Sequence, residues 1–191
     1  MEKIYEKFEE MVSIPSDINQ HLWTLRKYSE ECETVIEMGV RGIVSTWAFL
    51  AAKPKNITCY DISDLNLDEP KNLAKENNIS LKFIRANVLE IEIEKTDLLF
   101  LDTIHRYYQL FNELNIHAKN VKKYILMHDT ISYGKDDEFI YMPNYVSPVV
   151  ENKKGLIMAI EDFFLTEEGK NWYVLEKFEN NNGLTILERK K

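Results

Sequence analysis

Apolar and polar positions fall into blocks along this chain, and the blocks show two different periods. Five short runs are almost continuously apolar, at residues 34–38, 57–61, 81–85, 97–102 and 123–128. Runs such as Leu98-Leu-Phe-Leu101 suit strands covered on both faces. Between them lie segments whose apolar residues recur three and four apart, the mark of a helix. These are Ser45–Ala52, stopped by Pro54, then Glu69–Asn77, ended by Asn77-Asn78, and His105–Asn120. Strands separated by helices predict right-handed crossovers and a mostly parallel sheet. Two more helices are predicted ahead of them, over about 1–12 and 17–30. Ser16-Asp17 after Pro15 supplies a start signal, and His21, Leu22, Leu25 and Tyr28 fall near one face.

The pattern changes after Asp129. Residues 131–148 carry Tyr133, Gly134, Tyr141, Pro143, Asn144, Tyr145 and Pro148, with no period. A loop this long inside a domain is expected to be functional or mobile. A helix over about 155–165 follows, with Ile157, Ile160, Phe163 and Phe164 on its inner side. Two last strands, 172–178 and 184–189, are joined by Glu179-Asn-Asn-Asn-Gly183. Asn-Gly is a hairpin signal, so these two are expected to be antiparallel. No repeat, low-complexity segment or linker interrupts the chain, and one domain over 1–191 is the economical reading.

Composition narrows the classes. The 191 residues are 45% hydrophobic and 29% charged, which suits a globular domain with a sizeable core. The net charge is −8 and no long basic stripe appears, which argues against nucleic acid as a direct partner. The end Glu188-Arg-Lys-Lys191 is more simply a solvated tail. Cys32 and Cys59 form no C-x-x-C pair, which argues against a disulfide scaffold or a cysteine zinc site and fits a reducing cytoplasm. Met1 to Glu10 is rich in Glu and Lys, unlike a signal peptide. No apolar run is long enough for a membrane span.

Candidate chemistry begins in Thr34-Val-Ile-Glu-Met-Gly-Val-Arg-Gly-Ile-Val-Ser-Thr46, which reads as strand, glycine turn and helix start. About 20 residues past Gly39, the run Ile57-Thr-Cys-Tyr-Asp61 ends in an acid. α/β folds hold nucleosides in this way, the glycines admitting the ligand and the acid taking the ribose hydroxyls. Arg41 fills the second glycine position of a pyrophosphate-binding turn, and Gly42 comes one residue later. That disfavours NAD or FAD and leaves room for a cofactor without phosphate.

Ligands of open parallel sheets bind beyond the carboxyl ends of the strands. Those ends carry Glu37 and Gly39, then Asp61, Asn87, Asp102 with His105, and His128-Asp129-Thr130. Polar residues also follow strands simply because strands end at solvent, so no one of them is diagnostic. Asp102 and Asp129 carry more. Both close apolar strands expected to be neighbours across the point where strand order reverses. Two carboxylates about 4 Å apart repel by roughly 4 kcal/mol at an effective dielectric near 20, which a cation would offset. Oxygen ligands suit Mg²⁺, Ca²⁺ or Mn²⁺, and a nitrogen from His128 shifts preference toward Mn²⁺, Fe²⁺ or Zn²⁺. His105, expected at the start of the next helix, is a candidate general base. His21 and His117 read as structural or surface residues. No nucleophile elbow and no Walker loop is present.

With these residues the chain resembles class I S-adenosylmethionine-dependent methyltransferases. The resemblance rests on Glu37-Met-Gly-Val-Arg-Gly-Ile-Val-Ser-Thr46, Asp61, Phe100-Leu-Asp-Thr-Ile-His105, Tyr124-Ile-Leu-Met-His-Asp-Thr130 and Gly155-Leu-Ile-Met-Ala-Ile160. It runs from about Asp17 to Glu188 and looks most like the small cephalosporin hydroxylase-like and macrolide-sugar O-methyltransferases. It implies a three-layer Rossmann-like α/β fold, with a seven-stranded, mostly parallel sheet and an antiparallel C-terminal strand. It implies S-adenosyl-L-methionine, with the methionine end near Glu37, Gly39, Ser45 and Thr46 in the turn that holds Arg41 and Gly42. The ribose would meet Asp61, the adenine Ile62 with Asn87 and Val88, and Asp102 would border the cofactor. Mg²⁺ or Mn²⁺ would be held by Asp102 and Asp129, with His128 standing where relatives often have a carboxylate. His105 falls where the sugar enzymes place their base. The acceptor would be a hydroxylated small molecule or glycan, and a homo-oligomer is left open. Residues 131–148 and the N-terminal helices would form a lid. Two other readings stay open: a non-catalytic module that keeps the nucleoside pocket, and an oxidoreductase of Rossmann type, disfavoured by Arg41.

Overall fold

A computed structural model of the chain describes residues 1–139 and 148–191. Seven strands form one sheet: β1 (Thr34–Met38), β2 (Asn56–Asp61), β3 (Ser80–Arg85), β4 (Thr96–Leu101), β5 (Val121–His128), β6 (Trp172–Phe178) and β7 (Leu184–Arg189). Their order is β3-β2-β1-β4-β5-β7-β6. The first five are parallel, and β7 runs antiparallel between β5 and β6. The predicted strands are all present, with ends shifted by a residue or two.

Why β4 is continuously apolar from Leu98 to Leu101 follows from its central place. Leu98 and Phe100 point into one core, with α1 (Glu2–Ser13), α2 (Leu22–Ser29), α3 (Val44–Ala51) and α4 (Asp68–Glu76). Leu99 and Leu101 point into the other, with α5 (Tyr107–His117) and α6 (Leu156–Phe164). A strand with helices on both faces has no side left for polar residues. Among the described residues no helix is long and apolar enough to cross a membrane.

Three expectations need correction. The strand order reverses between β1 and β4, not between β4 and β5. β1 starts one half of the sheet and β4 the other, so crossovers run outward from the β1–β4 seam on either side, and Asp129 lies one strand beyond the reversal. The second predicted helix opens as a 3-10 turn, Asn19–His21, before α2. Ser16 still marks its start, accepting the Asn19 N–H at 3.0 Å. Finally, α5 begins at Tyr107, so His105 stands in a loop. Arg106 is extended, and Asp137 takes the Tyr107 N–H at 2.8 Å.

At the reversal the exits of β1 and β4 are pressed together. Gly39 has φ +84°, and a Cβ built on it would fall 1.9 Å from the backbone oxygen of Asp102. Across the sheet, the β6–β7 turn bends back through left-handed residues Asn181, Asn182 and Gly183. Asn and Gly tolerate that conformation best. Its tip ties two segments together. Asn182 O accepts the N–H groups of Ile131 and Ser132, while the Asn181 side chain accepts from Gln20 N and donates to Ser16 O.

Candidate active site

A cavity of about 330 Å³ opens beyond the carboxyl ends of β1, β2, β3 and β4. The glycine turn supplies Gly39, Arg41 and Gly42, and the start of α3 supplies Ser45. Opposite stand Asp61, Ile62, Asn87 and Val88, and the β4 exit adds Asp102 and His105. Most of the sequence-derived residues therefore converge on one crevice, while Glu37 and Thr46 lie under its floor and His128 and Asp129 stand beside it.

Asp61 shapes that crevice. Its Oδ2 accepts the N–H groups of Val40 at 2.9 Å and Arg41 at 3.2 Å, and its Oδ1 accepts Ser63 N–H at 2.8 Å. One carboxylate thus steadies a turn in which Arg41 and Ile43 both have positive φ. Asn87 Oδ1 accepts Leu89 N–H at 3.1 Å and caps the turn Val88–Glu90, which leaves its carbonyl one lone pair for a ligand.

Glu37 and Thr46 lie beneath the cavity, both fully buried. The Glu37 carboxylate accepts from Ser45 Oγ, from Thr46 Oγ1 at 2.8 Å and from Cys59 Sγ at 3.0 Å. It fastens α3 to β1 and turns away from the cavity. Burial pushes its pKa up to about 7 against the pull of those three donors. Glu113, buried on α5 and bonded by Thr103 Oγ1 and Gln109 Nε2, is raised to about 7 by the same cause. An acid with a raised folded pKa binds its proton more tightly in the folded chain. Its contribution is full below the unfolded value near 4.5 and is lost as pH rises through about 7. Urea denaturation should show stability falling across that window, by about 3 kcal/mol per group. Glu37→Gln should remove about half of the slope, and an unchanged slope would clear Glu37 of that role.

Beside the cavity, two histidines and three carboxylates interlock. His105 Nε2 lies 3.1 Å from Asp102 Oδ1 and 3.0 Å from Asp129 Oδ2, and its Nδ1 lies 2.9 Å from Glu138 Oε2. Its ring stacks on Tyr133 at 5.0 Å. His128 Nδ1 lies 3.4 Å from Asp102 Oδ1 and 3.2 Å from Asp129 Oδ2. Its Nε2 faces the Asn181 carbonyl at 3.1 Å. Burial lowers the pKa of both rings, but the carboxylates outweigh it and raise His105 to about 9 and His128 to about 10. Burial acts in the other sense on Asp102, yet the bonds from His105 and His128 hold it well below the usual carboxylate range.

This group fits a divalent cation. One ligand atom each from Asp102, His128 and Asp129 lies within 4.8 Å of the others. The Asn181 carbonyl accepts from His128 Nε2–H and so turns Nδ1 toward the carboxylates, as a supporting partner of a metal-bound imidazole does. Asp129 Oδ1 is buried and finds no hydrogen-bond partner among the described residues, and a cation would satisfy it. Two carboxylates with an imidazole suit Mn²⁺, Fe²⁺ or Zn²⁺ better than an all-oxygen set would.

Several residues of this site were not singled out from sequence. Glu138 sits in an acidic run with no period, and Asn181 is visible only as a turn residue. His21 and His117 are both buried and bond to backbone carbonyls, His21 to Asn180 and Asn181 and His117 to Val88, in keeping with structural roles. Of the expected lid, Tyr141, Pro143, Asn144 and Tyr145 lie outside the described residues. Its described stretch 131–139 brings Tyr133 and Glu138 to His105.

Solved structures share this architecture. The chain is similar to the S-adenosylhomocysteine-bound methyltransferase PaMTH1 from Podospora anserina, with 16% identity, TM-score 0.56, and coverage of 98% of this chain and 88% of that one. It is similar to a Staphylococcus aureus protein provisionally named a caffeoyl-CoA O-methyltransferase, with 12% identity, TM-score 0.60, and coverage of 98% and 91%. It is also similar to the N-methyltransferase NodS from Bradyrhizobium japonicum, with 12% identity, TM-score 0.57, and coverage of 92% and 97%. At such identities the likeness concerns the fold, which is the Rossmann-like methyltransferase fold with its antiparallel C-terminal strand. No protein-family model and no curated protein matches the sequence.

Proposed function

We propose that this chain is an S-adenosylmethionine-dependent methyltransferase acting on a hydroxyl of a small molecule or glycan, with a divalent cation held by Asp102, His128 and Asp129. One observation carries the reading. A single cavity joins a half built from the Gly39 turn, Asp61 and Ile62 to the rim of the carboxylate–histidine group at Asp102 and His105. The fold neighbours support methyl transfer, and their acceptors differ, so the choice of oxygen rests on the chemistry of this cluster.

The donor is a sulfonium, and its methyl moves by in-line displacement. The protein's main task is to align the reactants within about 3–3.5 Å. The turn that Asp61 steadies holds the adenosine half. A bound divalent cation would supply Lewis acidity that lowers the pKa of the acceptor hydroxyl. With its pKa raised to about 9, the His105 ring carries a proton on each nitrogen at neutral pH. A cation on Asp102 and Asp129 would take over the charge balance that holds the extra proton, and the neutral ring's Nε2, at the cavity wall, would then be placed to take the hydroxyl proton. Tyr133 and Glu138 keep its ring in orientation.

Calorimetric titration with S-adenosylhomocysteine and with NAD⁺ tests the cofactor. Binding of the first alone is expected, and binding of NAD⁺ alone would overturn the proposal. Labelled methyl transfer to hydroxylated acceptors, before and after chelation and Mn²⁺ repletion, tests the rest. Activity that survives exhaustive chelation would strike Asp102, His128 and Asp129 from the ligand set.

A further inference from the structure

Resting on that reading, we propose that Arg41 and Asp17 clamp the amino-acid tail of the cofactor, Arg41 its carboxylate and Asp17 its ammonium. The two now pair with each other at the cavity mouth and would exchange that pair for the tail.

The residues that the sequence suggested for this end do not all reach it. Glu37 and Thr46 bond each other under the floor, and Ser45 is committed to Glu37. The tail needs a cation and an anion from what remains. Among the described residues lining the cavity, the basic side chains are Arg41 and His105. His105 already serves Asp102, Asp129 and Glu138. Arg41 is left for the carboxylate, and its guanidinium suits paired hydrogen bonds to one. The acids of the same wall sort as clearly. Asp61 accepts three backbone N–H groups, Asp102 lies between two imidazoles, and Glu138 bonds His105. Asp17, among the described residues, has its carboxylate bonded by Arg41 alone.

Both partners are held in place. Arg41 stands in the glycine turn, its backbone N–H fixed on Asp61. Asp17 lies between Ser16 and Gln20, whose backbone groups bond the Asn181 side chain. The present pair is weak, because the Arg41 side chain is 77% exposed and exposed ion pairs bind little. Exchanging it for a zwitterion at the cavity mouth costs little and gains two charge-assisted contacts. The N-terminal segment thereby becomes part of the cofactor site.

The experiment compares two nucleosides that differ in the tail. S-adenosylhomocysteine carries it, and 5′-methylthioadenosine lacks it, while both have a neutral sulfur. Arg41→Met should weaken the first by about tenfold or more and leave the second within about twofold. Arg41→Lys should recover part of the loss, and Asp17→Asn should show the same selectivity. Equal losses for both ligands would mean that the pair only braces the turn, and no loss for either would mean that it holds nothing. Either result overturns the clamp. Failure of the wild-type chain to bind either ligand would instead overturn the cofactor reading itself.

Discussion

Gly39→Ala is expected to cost on the order of 3–5 kcal/mol of stability and to abolish S-adenosylhomocysteine binding. Two effects add at this position. Its φ of +84° is one that an L side chain rarely adopts, and an added Cβ would fall 1.9 Å from Asp102 O and 2.6 Å from Asp102 C. Both obstacles are backbone, so no side chain can swing aside. Parting the strand exits would stretch the bond from Asp102 N to Met38 O, now 2.9 Å. That bond spans the strand reversal at the mouth of the crevice. Gly42→Ala is the control. Its Cβ would meet only Val44 Cγ2 at 3.6 Å, and its φ is not in the left-handed range. It should stay within about 1 kcal/mol of wild type. Urea denaturation of both variants decides. A Gly39→Ala chain as stable as Gly42→Ala would mean that β1 and β4 do not meet so closely.

Strand and helix positions were legible because each has one dominant signal. The run Leu98–Leu101 is apolar at every residue since both faces of β4 are covered. The Asn-Asn-Gly turn declared its hairpin through residues that accept positive φ. The rim residues Asp61, Asp102 and Asp129 were legible because strand ends in such sheets face one edge. What stayed hidden was set by contacts between distant segments. Nothing near Glu37 says that Ser45, Thr46 and Cys59 will surround it, and its motif position suggested the cavity instead. The strand reversal depends on which neighbour β1 takes on each side, and the helical spacing does not encode that choice. The docking of Asn181 on His128, and of Glu138 on His105, joins residues 53 and 33 positions apart. Local pattern carries no trace of either.

His105→Ala is expected to lower turnover by about 10²–10⁴ while leaving S-adenosylhomocysteine affinity close to wild type. That range corresponds to about 2.7–5.5 kcal/mol in the transition state, the usual effect of losing one proton acceptor. The geometry separates this role from simple charge balance. His105 Nε2 bridges Asp102 and Asp129, so its removal leaves two carboxylates facing each other with less positive charge between them. A residue that only neutralised them would, when removed, tighten the hold on a divalent cation and leave the chemical step to recover once metal is added. A proton acceptor would not be replaced in that way. Titrating Mn²⁺ into His105→Ala should therefore show cation binding at least as tight as wild type, with turnover still depressed at saturation. Asp129→Asn should behave in the opposite manner, losing cation affinity first. Wild-type turnover by His105→Ala at saturating Mn²⁺ would leave the imidazole as a counter-ion, and the proton of the acceptor hydroxyl would have to leave by way of water.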